Sequence, residues 1–225
     1  MDKTRSHHSA PLPYQHPSSV SLPKTPVSSG VDAELRLLEL GLSLDVLEEC
    51  LSDGSSAYRS TTADHPTSYA GLRMWAETTA SLRRNLALLD WESEDVSNVP
   101  LVVNRTSGRA LIVTAGDGAA GDERYRPQVR YERRDIIQRL VNGELDSLFR
   151  PGRRPDWEVW FLLHNVSHYS MSAELARPTG VSSDGLVSDW AERILLPPEK
   201  HEIVPSETID MVPPEVSIDV QRRSG

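Results

Sequence analysis

The feature that most constrains this chain is a change in the spacing of its apolar residues. From Asp32 to Leu89 they recur every three or four positions. From Leu101 onward they fall in short runs rich in β-branched and aromatic residues. The first pattern belongs to amphipathic helices and the second to half-buried strands. Helices first and strands later predict an α+β fold, with N-terminal helices packed on an antiparallel sheet of hairpins.

The helical part divides in three. Asp32 is placed to cap a short helix carrying Leu35, Leu38 and Leu42. Ser43 is placed to cap a second, with Val46, Leu47, Cys50 and Leu51 on one face and Gly54 as its end. Residues 55–67 read as a loop broken by Pro66. A longer helix then runs from Tyr69 to Leu89, its stripe formed by Leu72, Trp75, Ala76, Leu82, Leu86 and Leu89. Strands are expected at Leu101–Val103 and Ala110–Val113, joined through Thr106-Ser107-Gly108. A further helix is expected from Arg133 to Val141, and a second hairpin from Trp157–His164 and Tyr169–Ala176. The run Trp190–Leu196 fits either an edge strand or a short helix. In the Trp157 strand both faces are apolar, which marks a central strand.

Proline sets the expected limits of the fold. Ten of the sixteen prolines lie in residues 1–30 and 197–225. These two segments have too little apolar surface to offset the entropy of ordering, so they are expected to be disordered, the second an acidic tail. Residues 31–196 are then a single α+β domain.

Composition narrows the setting. No run approaches the roughly 20 apolar residues that cross a bilayer, and the N-terminus lacks the apolar core of a secretory signal. The single cysteine, Cys50, excludes an internal disulfide framework. Its place on an apolar helix face makes it a core thiol. Between residues 31 and 196 there are eighteen arginines and no lysine, a bias expected of a high-GC bacterial source. A cytoplasmic location is the simplest expectation.

Four patterns could carry chemistry. Gly116-Asp117-Gly118-Ala119-Ala120-Gly121 fits the glycine fingerprint of dinucleotide sites. That chemistry needs a helix beginning inside the motif, and Asp122-Glu123-Arg124-Tyr125-Arg126-Pro127 offers no helical stripe, so the segment reads as a loop and no organic cofactor is assigned. His164 and His168 could converge across a hairpin turn on a divalent metal, with Asp156, Glu158 or Glu174 supplying an oxygen ligand, Glu174 being the one assigned. A metal-activated water would then make the chain a hydrolase or nuclease. The alternative is a pair of turn histidines bonded locally. Asp64-His65 before Pro66 reads as a turn leading into the long helix.

The last pattern is basic. From Arg124 to Arg154 nine arginines meet only four acids, within a chain of net charge -9. Arg124, Arg126, Arg130, Arg133, Arg134, Arg153 and Arg154, interleaved with Tyr125 and Tyr131, could contact nucleic-acid phosphates and bases or a partner protein. The acidic whole opposes a polyanion. With no assembled catalytic group, the leading expectation is a non-catalytic accessory protein whose partner is another protein. Nucleic-acid binding and metal-dependent hydrolysis are the alternatives, and no membrane is involved.

Overall fold

The computed structural model describes residues 25–130, 134–144, 157–167 and 169–200. In chain order these form β1 (Val27–Ser28), α1 (Val31–Glu39), α2 (Leu44–Arg59), α3 (Tyr69–Leu86), β2 (Glu92–Val96), β3 (Val99–Asn104), β4 (Arg109–Ala115), β5 (Val129–Arg130), α4 (Arg134–Val141), β6 (Glu158–Val166), β7 (Ser170–Pro178), β8 (Leu186–Val187), β9 (Trp190–Leu195) and β10 (Glu199–Lys200). The fold is α+β. One sheet has the order β1-β9-β7-β6-β4-β3-β2, with β10 also paired to β7, while β5 and β8 form a small separate ribbon. Its pairs are antiparallel except β4 with β6 and β1 with β9. The two expected hairpins are therefore present, but they meet through a parallel junction.

Alternation along β6 splits the core into two layers. Trp160 and Leu162 join the cluster formed with α1, α2 and α3. Val159, Phe161 and Leu163 point the other way, into a cluster containing Ala120, Ile137, Leu140 and Trp190. A central strand covered on both faces is what its unbroken apolar run requires.

Several boundaries differ from the sequence expectation, each for an identifiable reason. Gly54 does not end α2, which continues to Arg59. A Cβ at Gly54 would overlap Thr78 Oγ1 and lie 2.8 Å from the Met74 carbonyl oxygen, so this glycine is where α2 and α3 touch. The buried side of α3 is accordingly Met74, Thr78, Ser81, Leu82 and Leu86, with small polar residues at the contact. Leu72 and Leu89, expected in its stripe, are exposed. Ser43 caps α2 as expected, accepting from the Val46 N–H. The residue preceding α1, however, is Gly30, at φ 58°, and Asp32 lies inside the first turn.

The acidic strand β2 escapes an apolarity pattern because it is a sheet edge, where charge is favoured over apolar surface. Ser97 and Asn98, both at positive φ, make its two-residue turn to β3. Trp190–Leu195 is a strand, and an interior one, between β7 and β1. The fold also begins earlier and ends later than 31–196. The Thr25 hydroxyl donates to the Trp190 carbonyl oxygen, β1 pairs with β9, and β10 pairs with β7. Residues 1–24 and 201–225 lie outside the described residues.

Candidate functional site

The strongest polar constellation lies under the glycine-rich loop. Glu174 on β7 and Arg193 on β9 share the sheet face away from the three N-terminal helices, and both are buried. Arg193 Nε donates to Glu174 Oε1 at 2.9 Å and its Nη2 to Oε2 at 2.5 Å. The guanidinium also donates to the Tyr125 and Asp122 carbonyl oxygens, at 2.7 and 3.0 Å. Glu174 Oε2 in turn accepts from the Gly121 N–H at 2.8 Å. The Ser172 hydroxyl donates to the Ala120 carbonyl oxygen, and the Trp190 indole N–H to that of Pro127.

A buried charge pair is tolerated only when its remaining lone pairs and protons are satisfied, and this loop backbone satisfies them. The glycine motif is therefore the wrapping of an ion pair. No helix starts within it, and the next, α4, begins at Arg134. Gly121 is required on two counts. Its φ is 79°, and a Cβ would lie 2.9 Å from the Ala173 nitrogen.

The sequence-proposed metal ligands do not come together in this arrangement. His164 pairs across the ladder with Ala173, whereas Glu174 pairs with Leu163. Successive residues face opposite sides of a sheet, so His164 points toward the helical layer and Glu174 toward the loop. Both Glu174 oxygens are already engaged by Arg193 and Gly121. His168 lies outside the described residues. Among the described residues no three His, Cys, Asp or Glu side chains are grouped to hold a metal ion. His164 itself is 2% exposed, and neither ring nitrogen has a protein hydrogen-bond partner. Burial alone lowers its pKa to about 4, so the ring is neutral at physiological pH.

The arginine segment is partly described. Arg124 pairs with Asp122 at 2.7 Å, and its hydrogen bonds hold the Asp122 carboxyl down to about 2. Arg124 also lies over the Tyr125 ring, 5.5 Å from its centroid. Arg126 pairs with Asp189 at 3.3 Å, and Arg139 with Glu144 at 3.5 Å. The side chains of Arg130 and Arg134, and residues Arg133, Arg153 and Arg154 entirely, lie outside what the structure describes. The arginines that are described have acids beside them within the molecule. A tyrosine and a guanidinium do adjoin at Arg124–Tyr125, as the stacking pattern anticipated.

Two smaller readings find structural roles. The His65 ring stacks on Tyr69, with centroids 4.7 Å apart, and its Nδ1 accepts from the Thr62 N–H. Cys50 is buried among the helices, and burial pushes its thiol pKa up.

The surface feature that the apolar pattern misassigned is on α1. Its inner face is Ala33 and Leu37, followed by Leu40 just past the helix, all buried. Val31, Leu35 and Leu38 occupy the opposite face and are 70%, 57% and 64% exposed. The expected core stripe was Leu35, Leu38 and Leu42, and of these only Leu42, past the helix end, is buried. The sequence contains two apolar stripes half a turn apart, and the one with alanine at its start fits against the sheet. Arg36 locks the choice. Its Nε and Nη2 reach Glu192 on β9 at 2.6 and 3.0 Å, and its Nη1 reaches Glu39 at 2.7 Å. Asp32, Glu34 and Glu39 flank the outward stripe.

No protein-family model matches this chain, and neither the curated proteins nor the solved structures provide a match.

Proposed function

We propose that this chain is a non-catalytic accessory protein of the bacterial cytoplasm that binds another protein through the outward face of α1. The observation that carries this reading is the stripe Val31, Leu35 and Leu38, held outward by the Arg36–Glu192 pair. Single exposed leucines are ordinary. Three large apolar residues at i, i+4 and i+7 on a helix already buried on its other side are not, and contiguous apolar surface of this kind marks interaction sites. A helix face presented this way is read by a complementary groove or helix through spaced anchors. Fully covering one leucine is worth about 1.5–3 kcal/mol, or roughly 10- to 100-fold in affinity. The arginine bias between residues 31 and 196 supports the choice of host.

Glu174 and Arg193, the buried ion pair, are engaged in holding the 116–127 loop. The test is a photo-crosslinking side chain at position 35, with position 77 on α3 as control. The expected result in the native host is a discrete adduct with a different protein from position 35 alone, lost on Leu38→Asp. Equal labelling from both positions, or self-adducts only, would refute the reading. So would substrate turnover by the purified chain that disappears in His164→Ala.

A further inference from the structure

A second surface bears on what kind of partner this is. Between α2 and the β7–β10 end of the sheet runs an open groove of about 400 Å³. Leu51, Met171 and Leu196 form its floor, and Pro197 and Pro198 one wall. Glu48 and Glu49 stand on the α2 rim and Glu199 on the strand side. Asp45, Glu48, Glu49 and Ser52 project along one side of α2 by helical spacing, and Ser52 lines the groove. Among the described residues no basic side chain pairs with Glu34, Asp45, Glu48 or Glu49. The crowding has an electrostatic consequence. Partial burial, then Asp45, Glu34 and Glu199 in that order, push the Glu48 carboxyl pKa up. Like charges gathered around an apolar trough are held against their own repulsion by the fold, and a cation arriving from outside relieves it.

We propose that this groove binds a cationic, apolar-anchored peptide segment of a partner protein, leucine-like side chains entering the trough and lysine or arginine meeting Asp45, Glu48 and Glu49. The inference rests on the binding reading above and names the charge class of the partner. The volume lies in the range of built ligand sites, about 300–1,000 Å³. A second copy docking by the same face would set these acids against themselves, because a two-fold interface is self-complementary. The acidic rim of α1 continues the same sign, with Glu34 close enough to act on Glu48.

The test uses the full chain and a fluorescein-labelled amphipathic peptide of leucine and lysine, followed by fluorescence anisotropy. The chain is expected to bind it in a salt-sensitive way and not to bind the leucine–glutamate analogue. Ser52→Trp fills the trough from an exposed helical position without changing charge, and it should weaken binding about tenfold, as should Glu48→Lys with Glu49→Lys. The distant pair Asp95→Lys with Glu123→Lys, on the β2 edge and in the 116–127 loop, makes the same charge change and should leave affinity within about twofold. Near-ultraviolet circular dichroism checks that each variant keeps its packing. Leu35→Asp should bind the peptide as the wild type does; loss there would move the contact to α1. Absence of binding, equal binding of the acidic peptide, or equal weakening by the distant pair overturns the assignment. So does self-association abolished by Ser52→Trp. Since position-35 crosslinking does not pass through the groove, failure of either experiment is distinguishable from failure of the other.

Discussion

His164 gives the most quantitative test of the packing. The ring is buried on the helical face of β6, between Ala115 and Ala173 on the neighbouring strands. It is neutral when folded, with burial holding its pKa down to about 4 from the ordinary 6.5 of a free imidazole. The unfolded chain therefore takes up a proton as pH falls through 6.5, while the folded chain resists until about 4. Stability rises with pH wherever the unfolded state binds more protons, so this group's contribution is complete above pH 6.5 and falls away below it. Applying the linkage relation to those two values, the loss is about 2 kcal/mol by pH 5 and about 3 kcal/mol by pH 4.

His164→Leu removes the titrating ring and keeps an apolar side chain of similar size. Carboxylates also titrate below pH 5, so the informative quantity is the difference between the two chains. Urea denaturation of both between pH 4 and 7.5 should show the variant losing about 3 kcal/mol less than the wild type over that range. The variant should also be at least as stable at pH 7.5, because the two unpartnered ring nitrogens are gone. Parallel pH profiles would refute the reasoning, because the ring would then titrate in the folded chain as it does in the unfolded one.

Three further outcomes follow from close contacts. Gly54→Ala should lower stability by about 1–3 kcal/mol despite alanine's better helix propensity, since its Cβ runs into Thr78 and the Met74 carbonyl; thermal melts check this, and adding Thr78→Ala should recover part of the loss. Glu174→Gln leaves Arg193 buried without a counter-charge and should cost about 3–5 kcal/mol, with faster hydrogen exchange at the Gly121 amide. The double change Glu174→Leu with Arg193→Met should cost far less by denaturation yet still release the 116–127 loop, read as protease sensitivity there, because stability can be restored by apolar packing while the anchors to Gly121, Asp122 and Tyr125 cannot.

What the linear pattern conveys here depends on how much of each contact is apolar. β6 was legible on both faces because Trp157, Val159, Phe161 and Leu163 alternate with Trp160 and Leu162, and a two-sided strand has one place in a sheet. The α2–α3 contact was not. Its central residues are Gly54, Ser55, Thr78 and Ser81, whose value is smallness, and smallness resembles a helix end or a polar surface in one dimension. β2 was silent for the opposite reason, since an edge strand is built to look unlike a core strand.

The candidate sites follow the same division. His164 and Glu174 are ten positions apart in a hairpin, a spacing that brings their strands together. Face is decided by register, and the pairing of His164 with Ala173 puts Glu174 on the other side. Register also gives Glu174 its partner, because β9 brings Arg193 onto the same face. A carboxylate in the middle of an apolar strand was therefore a real signal, of a buried cation rather than of a metal. The loop rich in glycine was the second half of that signal: only a backbone without side chains can come close enough to satisfy the charges that the strands have paired. On α1 both stripes are apolar in sequence, the inward one starting from the smaller alanine. What separated them was Arg36 in the last turn, whose reach to Glu192 fixed the rotation of the helix and left Leu35 and Leu38 facing outward.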